Sequence, residues 1–252
     1  MTTREALHVQ LNALLQPERF KDYCPNGLQV EGKSRVRKLV TGVTASLALI
    51  DAAIAAGADA LLVHHGLYWR GADGCAVGWL GKRLRALLLA DVSLFAYHLP
   101  LDAHEQFGNN ATLGRLTGWV SPEAVPSITG EQGLLWHTAA SYESAAALSE
   151  HLSNCLGRGA VLVPGDGRPI RRVAWCTGGA QGYFEQAIAL GVDAYVTGEL
   201  SEPQVHYARE AGVAFVACGH HATERYGVRV VGEYVANTLG VEHEYIEIES
   251  PA

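Results

Sequence analysis

The sequence predicts an α/β fold, built as two similar lobes with mostly parallel sheets and related by an internal duplication. Three observations predict it. Short apolar runs of strand length alternate with stretches of helical periodicity. The alternation occurs once in each half of the chain. The word Ala53-Ile-Ala-Ala-Gly-Ala-Asp-Ala60 also returns as Ala187-Ile-Ala-Leu-Gly-Val-Asp-Ala194.

In the first half, residues 36–44 read as a strand. Leu47, Ile50, Ala53 and Ile54 then recur at helical spacing up to Gly57, a C-terminal stop. Residues 60–63 are a continuous apolar run, the pattern of a strand covered on both faces. A helix carrying Leu80, Leu84, Leu87 and Leu88 on one side follows, and then a strand over 92–97. The resulting βαβαβ order implies parallel strands with right-handed crossovers. The second half repeats it, with strands over 173–177, 193–197 and 213–218 and helices over 183–190 and 202–210. Residues 121–130, with two prolines, read as a linker. Residues 133–140 form a predicted strand, 143–156 an amphipathic helix, 223–239 a last helix and 244–248 a final strand. These terminal elements are expected to return to the first lobe. The expected lobes are therefore 1–125 with 228–252, and 126–227.

A chain of 252 residues that is 48% hydrophobic and 18% charged has the composition of a soluble globular protein. Its 19 basic and 26 acidic residues give a net charge of −7, without the dense Lys/Arg run of a DNA grip, so nucleic acid is an unlikely partner. The five cysteines are scattered and never form a C-x-x-C pair, which excludes a zinc finger or a disulfide framework and suits a reducing compartment. Arg4, Glu5 and His8 interrupt the N-terminus, so it lacks a signal-peptide core. No apolar run reaches the roughly 20 residues that span a bilayer. A cytoplasmic location away from the membrane is expected.

More than half of the eleven histidines fall in three short windows: His64-His65-Gly66, His98-Leu-Pro-Leu-Asp102-Ala-His104 and Gly219-His220-His221-Ala-Thr-Glu224. Each window directly follows a predicted strand, at the sheet edge where α/β proteins gather their sites. A metal site at the strand carboxyl ends, between the lobes, is thereby predicted. One histidine after one strand is usually structural; three such coincidences at one edge point to a site. Imidazole with carboxylate and no thiolate is ligand chemistry for Zn, Fe, Mn, Co or Ni, and five converging groups suit two metal ions. Adjacent residues leaving a strand point to opposite sides, so His64 and His65 are expected to serve one metal each. His220 and Glu224, four apart, share a face if a helix starts there, although a helix N-terminus also favours Glu through its dipole. Asp102, after Pro100 in a rigid loop, suits a bridging carboxylate, or else a turn or cap. His98 and His104 are candidates for orienting a ligand or shuttling protons. Gly108-Asn109-Asn110 reads as an N-cap before a helix over 111–116.

The words Cys24-Pro-Asn-Gly-Leu-Gln-Val30, His64-His65-Gly66, Tyr97-His-Leu-Pro-Leu-Asp-Ala-His104, Gly108-Asn-Asn110 and Gly219-His-His-Ala-Thr-Glu224 resemble the Nif-three-like family. Its bacterial members are also called dinuclear metal centre hexameric proteins or GTP cyclohydrolase 1 type 2 homologues. The likeness runs from about Cys24 to Glu233 and matches the compact type. It implies two divalent metal ions per chain, held by His64, His65, Asp102, His220 and Glu224, with six copies of the chain forming a toroid. It also implies a metal-dependent hydrolase acting on a nucleotide, a phosphoester or a cyclic amide, in which His98 or His104 moves protons. Arg70, Arg225 and Lys82 are the nearby cations for a triphosphate. Two other readings remain open: a metal-binding or metal-delivery protein without catalysis, and a toroidal nucleic-acid-associated scaffold, which the −7 charge disfavours.

Overall fold

Side chains along the strand Ala60–His65 alternate between two hydrophobic clusters. Leu61 and Val63 pack with Leu49, Ile50, Leu80 and Leu87, whereas Ala60 and Leu62 pack with Leu7, Leu11, Val228, Val231 and Val235. A strand turns successive side chains to opposite faces, so two layers of helix are needed to bury this one. Helices Leu47–Ala55 and Gly78–Ala90 cover one face, and Arg4–Leu15 and Gly227–Leu239 cover the other.

The computed structural model describes residues 1–121, 124 and 126–252. The chain divides into two compact units, Met1–Gly108 with Gly227–Glu249, and Asn109–Tyr226 with Ser250–Ala252. The first unit holds a five-stranded sheet in the order Glu242–Tyr245, Lys38–Thr44, Ala60–His65, Ser93–Ala96, Gly27–Val30. The first four strands run parallel and only Gly27–Val30 is antiparallel. Thr44 pairs with His65, and Val63 with Ala96, so the carboxyl ends of the central strands are level. That register brings His64, His65 and the segment after Ala96 to one edge. The first helix, Arg4–Leu15, buries Leu7, Leu11 and Leu15, spaced by four along one face. It is capped by Thr3, whose hydroxyl accepts from the Ala6 N–H at 3.0 Å.

The sheet of the second unit is mixed rather than mostly parallel. Its order is Ser127–Thr129, Leu135–Tyr142, Ile170–Trp175, Ala194–Thr197, Ala214–Ala217, Val161–Val163. Only the ladders joining Ile170–Trp175, Ala194–Thr197 and Ala214–Ala217 are parallel. The ladders that flank these three are antiparallel. On one face Trp136, Trp175, Val173, Val196 and Val216 pack with Leu148, Leu152 and Leu156 of helix Ala145–Leu156. Tyr195 and Phe215 meet the ring of Phe184 in helix Phe184–Ala189, with centroids 5.8 and 4.9 Å away.

Further sequence expectations need correction. Asn110 is not a helix cap. It lies inside helix Asn109–Leu116, fully buried, where its Oδ1 accepts from the Thr177 N–H at 3.0 Å and its Nδ2 donates to the Leu134 carbonyl at 3.2 Å. Asp102 lies in a short helix, Leu99–Ala103, because Pro100 fits a first helical turn. The predicted helix over 223–239 is two helices, His220–Glu224 and Gly227–Leu239. The predicted linker includes Pro122, Glu123 and Val125, which lie outside the described residues; Ser127–Thr129 within it forms a strand. Among the described residues no helix is long and apolar enough to cross a membrane.

Candidate metal centre

In the first unit, His64 is fully buried at the end of its strand and His65 is half-buried. Their ring centroids are 4.4 Å apart, so they do not diverge to opposite sides of the sheet. A tether explains this: His65 Nδ1 shares a 3.1 Å hydrogen bond with the hydroxyl of Thr44, its cross-strand partner. His64 Nδ1 donates to the Tyr97 carbonyl at 3.0 Å, which leaves Nε2 as its metal-competent nitrogen. Asp102, 5% exposed, places Oδ1 3.5 Å from that Nε2. His64, His65 and His98 each offer a donor atom, and these atoms lie within 4.8 Å of one another.

His98 is held by a residue that the sequence reading did not single out. Its Nδ1 lies 2.7 Å from Asp22 Oδ1. Asp22 also accepts from Asn26 Nδ2 and from the Leu99 N–H, both at 2.9 Å. Burial pushes the Asp22 carboxyl up, but the hydrogen bond and charge of His98, then Asn26 and Leu99, outweigh it and bring it down to about 2. Asp22 is thus an anion that fixes the His98 ring. The Cys24 thiol nearby is pushed up to about 12 by burial and by the charges of Asp22 and Asp102, and Asp22, Cys24 and His98 form a further group whose donor atoms lie within 4.8 Å of one another.

His104 stands apart from this group. Its Nδ1 accepts from the backbone N–H groups of Gln106 and Phe107, at 3.2 and 3.0 Å, and its ring stacks on Phe107. Burial pulls its pKa below the ordinary histidine value. It lines a cleft with Leu14, Arg19, Phe20 and Pro100.

In the second unit, the helix that starts at His220 brings His220 Nε2 to 3.1 Å from Glu224 Oε2, and Glu224 is 2% exposed. His220 Nδ1 lies 2.6 Å from Glu199 Oε1. Burial alone would lower the pKa of His220, but the hydrogen bonds and charges of Glu224 and Glu199 outweigh it and raise it to about 9. The ring therefore sits where a positive charge is stabilised. Gly178, Gly198 and Gly219, each just beyond a strand end, build its floor. Gly198 N–H donates to the Gly178 carbonyl at 2.8 Å and Gly219 N–H to the Gly198 carbonyl at 2.9 Å. The Thr223 hydroxyl accepts from the Gly178 N–H and donates to the Gly219 carbonyl, both at 3.0 Å. Gly178, at φ +71, is required twice over: a β-carbon there would come within 2.8 Å of Glu224 Cδ and 3.2 Å of His220 Nε2.

The donor chemistry fits divalent metal. His64, His65 and His220 each have Nδ1 engaged by a carbonyl, a hydroxyl or a carboxylate, the outer arrangement that orients a ligating imidazole through Nε2. Buried Asp102 and Glu224 need positive charge nearby to remain ionised. Glu199 escaped the sequence reading because it lies outside every histidine window; its place after the strand Ala194–Thr197 was the available signal. Glu199→Gln is expected to weaken metal affinity by about 10- to 100-fold in a chelator-competition titration. Unchanged affinity would show that Glu199 does not orient His220.

A family model described as Duf34/NIF3 (NGG1p interacting factor 3) matches residues 1–251. The chain is 52% identical over 238 residues to a Pseudomonas aeruginosa protein called GTP cyclohydrolase 1 type 2 homolog, covering 94% of each chain. It is 53% identical over 240 residues to the protein of the same name from Allochromatium vinosum, covering 95% of this chain and 93% of the other. Among solved structures it is similar to protein ybgI, described as of unknown function, at 41% identity and a TM-score of 0.92, with 100% of both chains covered. TTHA1606 from Thermus thermophilus follows at 29% identity and a TM-score of 0.88, again with 100% of both chains covered.

Proposed function

This chain belongs to the Duf34/NIF3 family, and from that premise we propose that it is a dinuclear metal-dependent hydrolase. The two ions would be held by His64, His65 and Asp102 of the first unit with His220 and Glu224 of the second. The observation that carries this reading is the common orientation of the histidines: His64, His65 and His220 are each pinned at Nδ1, and Nε2 of His64 and of His220 lies 3.5 and 3.1 Å from a buried carboxylate. Divalent ions in such a site supply Lewis acidity and activate water near neutral pH.

The chain itself supplies orientation and proton handling. Asp22 locks His98 at Nδ1, which leaves His98 Nε2 to take a proton from water or give one to a leaving group. The Asp22 carboxyl, brought down to about 2 by His98, Asn26 and Leu99, stabilises the imidazolium formed in that step. His104, with Nδ1 occupied by the turn that follows it, is the weaker candidate for proton transfer. The substrate class is a nucleotide, phosphoester or cyclic amide, and the relatives named GTP cyclohydrolase 1 type 2 homolog make GTP the first compound to assay. Assembly as a homohexamer in the cytoplasm belongs to the same proposal.

The test is a hydrolysis screen of metal-loaded protein against GTP, phosphoesters and cyclic amides, run beside His98→Gln. The variant is expected to keep its metal while kcat falls by about 10²- to 10⁴-fold, the usual worth of a positioned proton donor. Absence of turnover by the metal-loaded wild type on every class would end the hydrolase reading.

A further inference from the structure

Arg158 follows Gly157, the left-handed residue that ends helix Ala145–Leu156. A cation just past a helix end ordinarily serves the exposed carbonyls there. Here that task falls to another residue, because Arg225 Nη2 donates to the Leu156 carbonyl at 2.6 Å. Among the described residues the Arg158 side chain makes no hydrogen bond or ion pair, although its Nη1 is buried. The guanidinium instead lies against Gly219. A β-carbon on Gly219 would come within 2.6 Å of Arg158 Cζ and 3.0 Å of Nε, and closer still to Nη1. The backbone that leads directly into His220 is thus shaped to admit a charged group that contributes no internal bond. A buried, unmet guanidinium N–H carries a desolvation cost that an oxyanion relieves, and its planar fork matches phosphate.

We propose that Arg158 is an oxyanion-binding residue that receives a phosphate group beside His220. Its role in the reaction rests on the hydrolase reading above, for which it makes the substrate class a phosphorylated compound; phosphate binding itself does not require that reading. The rival basic cleft is formed by Lys33, Arg35 and Arg37. Those side chains are exposed, Asp59 and Asp91 share the cleft, and Lys33 is already bonded to Asp59 at 3.2 Å.

The test titrates inorganic phosphate, and acetate as a control anion, into the full chain at constant ionic strength, before and after chelator treatment. Wild type is expected to bind phosphate in preference to acetate in both states. Arg158→Gln is expected to bind it at least about tenfold more weakly. Arg158→Lys should fall between the two, and an Arg35→Gln/Arg37→Gln double variant should match wild type. Without phosphate, the thermal midpoint of Arg158→Gln should equal or exceed that of wild type, since a donor with no internal acceptor has been removed. Equal affinities in wild type and Arg158→Gln, no phosphate binding by wild type, or a lowered midpoint of Arg158→Gln without phosphate would each overturn the proposal. Failure of the wild type to hold metal would instead count against the hydrolase reading and leave the phosphate result standing.

Discussion

Asp102→Ala protein is expected to fold yet to lose divalent metal, with affinity reduced by at least about 100-fold. The figure follows from a comparison: removing a group that only orients a ligand costs about 10- to 100-fold, so removing a ligand costs more. Asp102 is buried and its Oδ1 lies 3.5 Å from His64 Nε2. The short helix Leu99–Ala103 has Pro100 in its first turn and buries Leu99 and Leu101. Removing a buried carboxylate should leave metal-free stability within about 1–2 kcal/mol of wild type. Elemental analysis of the purified variant, with its thermal unfolding, checks both parts. Wild-type metal content in Asp102→Ala would remove Asp102 from the ligand set.

Gly198→Ala is expected to destabilise the protein by about 3 kcal/mol or more and to abolish metal binding with it. A β-carbon at Gly198 would lie 2.6 Å from the Gly178 carbonyl oxygen, 2.7 Å from His220 Cα and 2.9 Å from His220 N. All three are backbone atoms in the hydrogen-bonded floor beneath His220, so none can yield as a flexible side chain would. Gly159→Ala is the matched control, since a β-carbon there meets nothing within 4 Å. Urea midpoints of the two variants give the comparison. Equal midpoints would mean that the strand ends do not hold His220 as tightly as these distances require.

Much of this was legible because it depends on local periodicity. The buried run 60–63 and the Leu80, Leu84, Leu87 face are written directly in the spacing of apolar residues, and the histidine windows stand immediately after strands. What escaped depends on contacts between distant segments. Asp22 and Glu199 stand outside every histidine window; they matter because folding sets them at 2.7 and 2.6 Å from His98 and His220. Asn110 looked like a cap by residue type, but a helix that begins two residues earlier than expected, at Asn109, turns its amide into a buried brace. The edge strand Val161–Val163 was too short for period alone to assign. The side-by-side placement of His64 and His65 reflects the Thr44 hydroxyl across the ladder, which a rule about alternating directions does not contain.

Anomalous scattering from crystals grown with a single divalent metal tests the central claim most directly. The account expects two peaks per chain about 3.5–4 Å apart, with His64, His65, Asp102, His220 and Glu224 as their protein ligands. Peaks lying on other residues, or none within reach of the His64 and His220 imidazoles, would contradict it.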